Sequence, residues 1–415
     1  MDIETYIESL CREAKEASII LRSVRAEQKN SALERIAQLI RERKDEIIRE
    51  NKIDCDRGRE AGLSKAFLDR LQLTESRVLD MISSIEEIVS MEDPVGEITG
   101  VRRPQGFLLE KVRVPIGVVA MIFESRPNIT VDSAALCLKS GNSVVLRGGS
   151  DALSSNRVLA SIIREGLTQS GLPAHSVQLV ERIEHEGVSA LVRQKRYVDL
   201  VIPRGGESLI KRVAREATVP VIKHFKGVCH LYVDEDCDQA MAEEVVYNAK
   251  VQRPATCNAL ETLLVHEKAA SMFLPRIQKR LNDVELRGCV RSKEILPDIG
   301  DAAQEDFFAE YLDLRLSVKI VESLDEAMEH IEVYGSSHTD GILSNNIANI
   351  ERFVSSVDSA VLTVNASTRL SDGGIFGLGA EIGISTDKLH ARGPMGVKEL
   401  TTYKWVLRGA GHIRE

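Results

Sequence analysis

One cysteine of this sequence lies in a context that favours nucleophilic chemistry. Cys257 is surrounded by small and polar residues and is followed by a mostly apolar run at 260–265. Pro254 disfavours a regular helix around it and biases Arg253 towards extended backbone. We therefore predict that Cys257 lies on a loop at the mouth of a buried strand, where its thiol can meet a substrate. Arg253 and Lys250 are close in sequence, and positive charge favours the reactive thiolate.

The surroundings of Cys257 also offer donors for a developing oxyanion. Asn258 supplies a backbone N–H and a side-chain amide, and both can stabilise negative charge on a carbonyl oxygen. Any one of seven cysteines is more often an inert small hydrophobic residue. The loop context of Cys257 is what favours a nucleophile over that role. Cys289 competes with it, because Arg287 and Arg291 flank Cys289 and favour its thiolate as well. No oxyanion donor is near Cys289 in sequence, so we interpret it as an exposed bystander.

Two diglycine turns are candidates for holding a phosphate. Gly148-Gly149 and Gly205-Gly206 each follow a predicted strand and precede a predicted helix, and helix N-termini bind anions. Neither turn matches Gly-x-Gly-x-x-Gly, so each alone is weak evidence and is more often structural. Two such turns upstream of a candidate nucleophile together favour a nucleotide cofactor.

Length and composition bound the class of protein. A chain of 415 residues exceeds one compact core and predicts two or three domains. The net charge of −9, from 54 basic and 63 acidic residues, disfavours a nucleic-acid binder. The seven cysteines show no paired short spacing, which predicts neither a disulfide framework nor a zinc site but reduced thiols in a cytoplasm. The apolar run at 114–123 is too short to span a membrane, and no signal peptide is expected.

The spacing of apolar residues predicts the elements that position these candidates. Residues 1–92 have helical periodicity, and 96–101 with 106–114 predict a β-hairpin that serves an oligomer contact. From Gly117 onwards strands alternate with helices. The predicted strands are 118–123, 143–146, 177–180, 198–202 and 219–222, and the predicted helices are 131–140, 152–169, 185–193 and 207–217.

These strands are rich in Val and Ile, which is typical of a parallel, doubly wound sheet buried on both faces. Ligands of such a sheet bind beyond the carboxyl ends of its strands, where both diglycine turns fall. A second α/β portion follows Cys257, with strands at 260–265, 317–321 and 360–364 and helices at 268–281 and 325–332. Residues 366–396 are rich in glycine and irregular, and a loop of that length is usually functional.

Several long motifs together resemble one family. They are Val114-Pro-Ile-Gly-Val, Phe123-Glu-Ser-Arg-Pro-Asn-Ile-Thr-Val, Asn248-Ala-Lys-Val-Gln-Arg-Pro-Ala-Thr-Cys-Asn, and the stretches 138–150, 330–340, 377–386 and 390–396. The chain from about residue 20 onwards resembles the γ-glutamyl phosphate reductases (glutamate-5-semialdehyde dehydrogenases), a branch of the aldehyde dehydrogenase superfamily. The resemblance implies NADPH-dependent reduction of L-glutamate 5-phosphate to the 5-semialdehyde, with release of phosphate, in proline synthesis.

The resemblance also implies roles for individual residues. Cys257 is the expected nucleophile, and Ser125 falls where many aldehyde dehydrogenases place an oxyanion-binding asparagine. Arg147 falls where they use a lysine on the cofactor ribose, and a guanidinium there suits a 2′-phosphate. Glu310 resembles the glutamate that holds the nicotinamide ribose. Asp151 stands where these reductases usually carry glutamate, a departure that leaves the cofactor expectation intact.

By role, the expected site residues are catalytic Cys257, Asn258 and Ser125; cofactor-binding Arg147, Gly148, Gly149, Ser150, Gly205, Gly206 and Glu310; substrate-binding Arg126, Asn128 and Arg253; and no metal ligand. The three substrate candidates are chosen because bidentate arginine suits both an acyl phosphate and an α-carboxylate. Arg126 could equally pair with Glu124 or lie on the surface. His224 takes the place of the glutamate that hydrolytic aldehyde dehydrogenases use, or it is a packing residue near the site.

The expected architecture is α/β, similar to aldehyde dehydrogenases, in three portions. An NADP-binding domain at 1–225 carries the hairpin at 96–114, a catalytic domain at 226–365 carries Cys257, and 366–415 returns to the first domain and the oligomer interface. The expected partners are the small-molecule substrate, the upstream glutamate kinase and copies of the same chain in a dimer or tetramer, without nucleic acid or membrane. Within enzymes, the alternative is an acylating aldehyde dehydrogenase that uses another acyl phosphate or acyl-coenzyme A. In a different class, the alternative is a catalytically silent binding protein.

Overall fold

The computed structural model describes residues 1–378 and 380–414. Gly379, part of the motif at 377–386, lies outside the described residues. The chain divides into two compact units. The first consists of Met1–Lys223, Gly377–Gly383 and Met395–Glu415, and the second of His224–Phe376 and Ile384–Pro394. The segment 366–415, which the sequence assigned to a single C-terminal portion, is therefore divided between the two units.

The first unit begins with helices, as the apolar periodicity predicted. They are α1 (Ile3–Leu21), α2 (Ala26–Glu42), α3 (Lys44–Glu60), α4 (Lys65–Leu71) and α5 (Glu75–Ser90). Side-chain oxygens of Asp2, Ser64 and Thr74 accept hydrogen bonds from backbone N–H groups of the first turns of α1, α4 and α5, which is the usual way a helix start is stabilised.

The predicted hairpin forms, and the C-terminal strand joins it. β1 (Ile98–Arg102) and β2 (Leu108–Pro115) pair antiparallel, and β16 (Thr401–Arg408) pairs antiparallel with the other edge of β2. From the sequence, the hairpin at 96–114 was expected to make an oligomer contact, and 366–415 to return to the oligomer interface. In the structure these two segments pair with each other within one chain.

A four-stranded parallel sheet organises the rest of the first unit, in the order β5-β4-β3-β6. Its strands are β3 (Val118–Phe123), β4 (Ser143–Arg147), β5 (Val177–Leu179) and β6 (Leu200–Arg204), and the helices between and after them are α6 (Asn128–Lys139), α7 (Leu153–Gln169), α8 (Glu186–Leu191) and α9 (Glu207–Glu216). The strand predicted at 219–222 is wrong: only a bridge between Val201 and Val221 forms. Pro220 lacks the N–H that a ladder needs.

The second unit is built on a seven-stranded parallel sheet, in the order β10-β9-β11-β8-β7-β12-β13. Its strands are β7 (Cys229–Val233), β8 (Leu260–His266), β9 (Glu285–Gly288), β10 (Gly300–Asp301), β11 (Arg315–Val321), β12 (Thr339–Leu343) and β13 (Val361–Val364). Its helices are α10 (Gln239–Val251), α11 (Glu267–Arg280), α12 (Val290–Ile295), α13 (Gln304–Phe307), α14 (Leu324–Tyr334) and α15 (Ile347–Ser356). β14 (Gly383–Ser385) and β15 (Gly393–Met395) form a two-stranded ribbon.

Two central strands of this sheet, β7 and β12, were missed because each carries a buried polar residue. His230 and Asp340 lie opposite each other in the ladder, and the His230 ring Nδ1 lies 2.9 Å from a carboxylate oxygen of Asp340. Both side chains are fully buried, so this contact pairs His230 Nδ1 and the carboxylate inside the sheet. A polar pair of this kind removes the apolar pattern by which a buried strand is recognised.

Among the described residues, no helix has the length and apolar character needed to cross a bilayer.

Candidate active site

Cys257 lies where the sequence predicted it, on a turn between the end of α10 and the start of β8. Its side chain is half-buried, whereas Asn258 and Ala259 behind it are buried. The turn is closed by hydrogen bonds from the Thr256 hydroxyl to the Arg253 carbonyl at 2.8 Å and from Ala259 N–H to the Thr256 carbonyl at 3.0 Å. The thiol therefore sits at the amino-terminal edge of the seven-stranded sheet.

Gly227, just ahead of β7, allows the backbone to pass directly against the cysteine turn. A Cβ atom at this position would lie 1.8 Å from the Cys257 carbonyl oxygen, so no other residue fits without movement. The Cys229 thiol donates to the same carbonyl oxygen at 3.2 Å. Gly227 N–H donates to a carboxylate oxygen of Glu310 at 2.9 Å. The residue predicted to hold the nicotinamide ribose is thus also a support of the cysteine turn.

Two imidazoles flank the thiol. One ligand-capable atom each from Cys257, His224 and His338 lies within 4.8 Å of the other two, and the two rings meet edge to face with centroids 5.4 Å apart. His224 was a sequence candidate with an undecided role. His338, which is fully buried just before β12, was missed. The signal that could have found it is its place in the family stretch at 330–340, where it was quoted without a role.

In the neutral form of His224 and of His338, the hydrogen bonds determine which ring nitrogen carries the proton. His224 Nδ1 lies 2.9 Å from the Ile384 carbonyl oxygen, which can only accept, so Nδ1 carries the proton. His338 Nδ1 lies 2.9 Å from the Thr339 hydroxyl oxygen, and that hydroxyl donates its own hydrogen to Ser371 at 3.0 Å. His338 Nδ1 is therefore also the protonated nitrogen. In each ring the lone pair is left on Nε2.

The side chain of Asn258 is engaged at both ends. Its amide nitrogen donates to the Ser371 carbonyl at 2.9 Å, and its oxygen accepts from the Thr256 hydroxyl at 3.0 Å. These bonds tie the cysteine turn to the segment that follows the 3₁₀ turn Thr368–Leu370. The side-chain amide of Asn258 therefore already uses one N–H within the chain. Of the two predicted oxyanion donors, we favour the backbone N–H.

Lys250 does not contribute charge to the thiol in the way the sequence suggested. Its ammonium donates to a carboxylate oxygen of Glu261 and to the Leu260 carbonyl, both at 2.8 Å, and both side chains of the ion pair are fully buried. Burial, the main effect, lowers the pKa of Lys250 and raises that of Glu261 to about 7. The remaining oxygen of Glu261 accepts from Leu312 N–H at 3.1 Å. Lys250 is therefore a structural cation beneath the turn.

Arg253 is exposed beside Cys257, and its guanidinium makes no hydrogen bond or ion pair within the described residues. A second arginine, Arg369, lies near it and was not predicted. Its Nε donates to the Gln252 side chain at 2.9 Å. Burial and then the charge of Arg253 lower the pKa of Arg369, while Asp372 and Cys257 act in the opposite direction. Two guanidinium groups thus lie near each other close to the cysteine turn, and neither forms an ion pair with a carboxylate within the described residues.

The competing cysteine has a different setting. Cys289 is the residue before α12, and its thiol lies 3.2 Å from the Ser292 hydroxyl. Arg287 is paired with Glu285 and Asp306, and Arg291 with Glu267 and Glu322. The positive charges that made Cys289 a rival are therefore neutralised by carboxylates.

In the first unit, the candidate residues follow the carboxyl end of β3. Ser125 has a left-handed backbone (φ 46°), a costly conformation for a residue with a side chain. Its hydroxyl is buried without a hydrogen-bond partner in the described chain. Asn128 donates its side-chain amide to Asp132 at 2.9 Å, so that group is committed to α6. Arg126 is half-buried beside them.

The diglycine turns lie at the same sheet edge, but their helices are already capped. At Gly148-Gly149, Asp54 accepts from the N–H groups of Ser154 and Ser155 at 3.1 and 2.7 Å at the start of α7. At Gly205-Gly206, Glu124 accepts from Gly206 N–H at 2.8 Å. A carboxylate of the chain itself therefore accepts from N–H groups at each helix start, and phosphate binding by the two turns stays a prediction.

The glycines of these turns are explained by packing. A Cβ at Gly148 would lie 2.2 Å from the Asn156 amide, and one at Gly205 would lie 2.5 Å from the Glu124 carboxylate. Gly149 and Gly206 stand next to them, and Ser150 is exposed at the start of the 3₁₀ turn before α7. Cofactor contact by any of these five residues stays a prediction.

Arg147, the last residue of β4, is the feature of this edge that fits a ligand. Its guanidinium is 8% exposed and donates to two backbone carbonyls, of Gly148 at 2.6 Å and Ile183 at 3.3 Å. Its Nε is buried without a partner, and no carboxylate forms an ion pair with it in the described part of the chain. Burial lowers its pKa, yet an arginine stays protonated. A buried cation without a counterion suits an anionic ligand such as a phosphate.

The fold and the cysteine turn define the class of the protein. The model of the aldehyde dehydrogenase family matches residues 3–314. The chain belongs to the aldehyde dehydrogenase family. The predicted α/β fold, with parallel sheets and an antiparallel hairpin sheet, is confirmed by this match and by the structure.

Full-length relatives narrow the class. A curated relative from Thermodesulfovibrio yellowstonii, called gamma-glutamyl phosphate reductase, is 50% identical over 418 residues that cover 100% of both chains. A relative of the same name from Halothermothrix orenii is 51% identical with the same coverage. The crystal structure of gamma-glutamyl phosphate reductase from Thermotoga maritima matches with a TM-score of 0.97 at 47% identity, covering 99% of this chain and 100% of that one. Within the aldehyde dehydrogenases, the chain therefore belongs with the γ-glutamyl phosphate reductases.

Proposed function

We propose that this chain reduces L-glutamate 5-phosphate to L-glutamate 5-semialdehyde with release of phosphate, as a step of proline synthesis. The full-length relatives at about half identity all carry that activity in their names. The observation that supports the chemistry is the half-buried Cys257 thiol close to two imidazoles, with Arg253 and Arg369, which form no ion pair within the described residues, near the same turn. Such a site suits covalent catalysis on an activated acyl group. The relatives favour this reaction over the alternative with acyl-coenzyme A.

The first step uses the thiol. His224, whose Nε2 carries the lone pair, takes the Cys257 proton, and the thiolate attacks the acyl carbon of the substrate. A carbon–sulfur bond forms, the bond to the phosphate oxygen breaks, and phosphate leaves with that electron pair. The product on the protein is a thioester. The backbone N–H of Asn258 is the proposed donor to the oxyanion in this step.

The second step releases the aldehyde. When bound, a nicotinamide cofactor would supply the hydride that the thioester carbonyl carbon needs. Hydride addition leaves a thiohemiacetal oxyanion; its C=O bond re-forms as the carbon–sulfur bond breaks, which releases the aldehyde and returns the electron pair to the Cys257 sulfur. An imidazolium of His224 then restores the thiol. Ser125, with its buried unpartnered hydroxyl, is proposed as an additional donor to the carbonyl oxygen.

The arginines hold the anionic ends of the substrate. Arg253 and Arg369 present guanidinium groups beside the thiol, and bidentate contacts of this kind suit a phosphate or a carboxylate. We add Arg369 to the substrate candidates Arg126, Asn128 and Arg253. Because phosphate and α-carboxylate lie at opposite ends of glutamate 5-phosphate, the pair next to Cys257 is assigned to the phosphate, which is attached to the reacting carbon.

The cofactor is a nicotinamide dinucleotide, and we propose NADPH. The support is Arg147, a buried guanidinium without a carboxylate partner in the described residues, which fits the 2′-phosphate that distinguishes NADPH from NADH. Glu310, held by Gly227 N–H, is proposed for the nicotinamide ribose. The residues 148–150 and 205–206 complete the proposed cofactor site through their backbone.

The proposal includes the cellular compartment, the subunit contact and the protein partner of the enzyme. The seven cysteines are free thiols, the form favoured in a reducing cytoplasm. The sheet β1-β2-β16 exposes Ile98, Trp405 and Leu407, which supports a subunit contact there in a homo-oligomer. Glutamate kinase, as the source of an unstable acyl phosphate, is the proposed protein partner.

The test is the reverse reaction, because the acyl phosphate is unstable. The wild type should oxidise glutamate 5-semialdehyde through many turnovers only when NADP⁺ and phosphate are both present. Cys257→Ala should lower this rate by about 10⁴-fold or more, since a nucleophile is lost, and Cys289→Ala is the matched control that should retain it. Retained turnover in Cys257→Ala would reject the mechanism, and replacement of phosphate by coenzyme A as the preferred acceptor would reject the substrate.

A further inference from the structure

We propose that Cys257, His224 and His338 form a zinc site whose occupation inhibits the enzyme. The three side chains come from separate loops at the amino-terminal edge of the seven-stranded sheet. One ligand-capable atom of each lies within 4.8 Å of the other two. The sequence predicted no metal site, because these residues are far apart along the chain and match no zinc spacing.

The donor set matches the preference of Zn²⁺. A thiolate and two imidazole nitrogens are its usual ligands, at about 2.3 Å for sulfur and about 2.0–2.1 Å for nitrogen. The ligand-capable atoms lie within 4.8 Å of one another, close enough for one ion to be reached by all three side chains. Magnesium and calcium prefer oxygen ligands, and this cluster offers none from its three members.

Both imidazoles are held in the form that binds a metal. His224 directs its Nδ1–H to the Ile384 carbonyl, and His338 directs its Nδ1–H to the Thr339 hydroxyl. Hydrogen bonds of this type fix the tautomer and orient the ring of a metal-binding histidine. The lone pair of each ring therefore lies on Nε2, ready to coordinate. Thr339 is itself anchored by its bond to Ser371.

The cluster can be reached from solvent, and its three side chains leave one zinc coordination position open. Cys257 and His224 are half-buried, whereas His338 is fully buried behind them. Three protein ligands leave a fourth position for water, as in zinc sites that exchange a ligand. Binding displaces the thiol proton and consumes the lone pair of the nucleophile. A metal at this position therefore blocks attack on the acyl phosphate.

The first experiment measures the reverse reaction of the full-length enzyme against added Zn²⁺. Micromolar Zn²⁺ should abolish activity, a chelator should restore it, and Mg²⁺ at the same concentration should have no effect. His338→Ala should raise the half-inhibitory concentration by about 100-fold, since one of three ligands is gone. The matched controls are His175→Ala and Cys289→Ser, exposed or half-buried residues outside the cluster, which should leave inhibition unchanged.

The second experiment keeps the proposal testable if a histidine variant has no activity. Titration with Co²⁺ in place of Zn²⁺ should produce a sulfur-to-cobalt charge-transfer band in the near ultraviolet at one equivalent. Cys257→Ser should lose the band, and Cys289→Ser should keep it. A band that persists in Cys257→Ser, or zinc inhibition of unchanged potency in His338→Ala, would overturn the site. Cobalt binding at Cys257 without zinc inhibition would overturn the inhibitory role and count against Cys257 as the nucleophile.

Discussion

The two parallel sheets place their chemistry at opposite edges. In the first unit, Ser125, Arg147 and the diglycine turns follow the carboxyl ends of β3, β4 and β6. In the second unit, Gly227, Cys257 and His338 precede the amino ends of β7, β8 and β12. The carboxyl-edge rule for parallel sheets therefore describes the first unit alone. The difference teaches that a parallel sheet of this chain can hold its reactive side chains at the amino edge, where the proposed nucleophile Cys257 lies.

The buried cations of the two units show the same contrast. In the second unit, Lys250 is neutralised internally by Glu261. In the first unit, Arg147 donates to backbone carbonyls and forms no ion pair with a carboxylate among the described residues, although the charges of Asp151 and Glu124 act on it. Isolated buried charge is costly, so a counterion inside the fold indicates a structural role and its absence indicates a ligand. Three substitutions test the comparison between the two units, and they follow in decreasing order of expected effect.

Lys250→Met should lower the free energy of unfolding of the second unit by about 3–5 kcal/mol, because Glu261 would be left buried and unpaired. Burial raises the pKa of Glu261 to about 7, against the opposing effect of Lys250. A carboxyl group with a raised pKa in the fold contributes stability at low pH that is lost as the pH rises through about 7. The loss in Lys250→Met should therefore be larger at pH 8 than at pH 5, as measured by urea denaturation.

The double variant Lys250→Met with Glu261→Gln is the control, because it removes both charges. Its stability should lie closer to the wild type than that of the single variant and should lose the steep pH dependence. Equal stability of Lys250→Met and wild type at pH 8 would show that the buried pair is not what supports the cysteine turn.

Gly227→Ala should lower kcat/KM by about 100-fold, because the new methyl group must displace the Cys257 backbone from its position. The Cβ would lie 1.8 Å from the Cys257 carbonyl oxygen. Gly187→Ala in α8 is the matched control from the first unit, where the nearest atom, on Ile3, would be 3.6 Å away. Steady-state kinetics and circular dichroism on both variants check the prediction. Full activity of Gly227→Ala would contradict the close packing of the cysteine turn.

Arg147→Met should lower kcat/KM for NADPH by about tenfold, since a charge-assisted hydrogen bond to the cofactor phosphate is lost. The value for NADH should change by less than about twofold, and stability should be unchanged or higher because an unpaired buried charge is removed. Equal losses with both cofactors would assign Arg147 to structure and would remove the support for NADPH.

Much of this fold follows from local pattern. The strands at 118–123, 143–146 and 260–265 were predicted within a residue of their observed ends, because each is a run of buried apolar side chains between turn residues. The loop around Cys257 followed from Pro254 and the apolar run after it. Local sequence carries these features because a few neighbouring side chains determine them.

What the sequence did not predict depends on contacts between distant segments. Asp54 occupies the start of α7 about a hundred residues later in the chain, and the His230–Asp340 pair hides two central strands. His338 and Arg369 reach the cysteine turn only through the order of strands in the second sheet. Patterns within a window of neighbours do not contain this information.

The central claim is that the acyl group is carried on Cys257, and it is tested most directly by trapping that group. The enzyme is mixed with glutamate 5-semialdehyde and NADP⁺ without phosphate, quenched in acid during the first turnover, and digested for mass spectrometry. We predict a burst of one equivalent of NADPH per active site and a γ-glutamyl thioester on the peptide that carries Cys257. An acyl group on any other residue, or a full burst with Cys257 unmodified, would contradict the account.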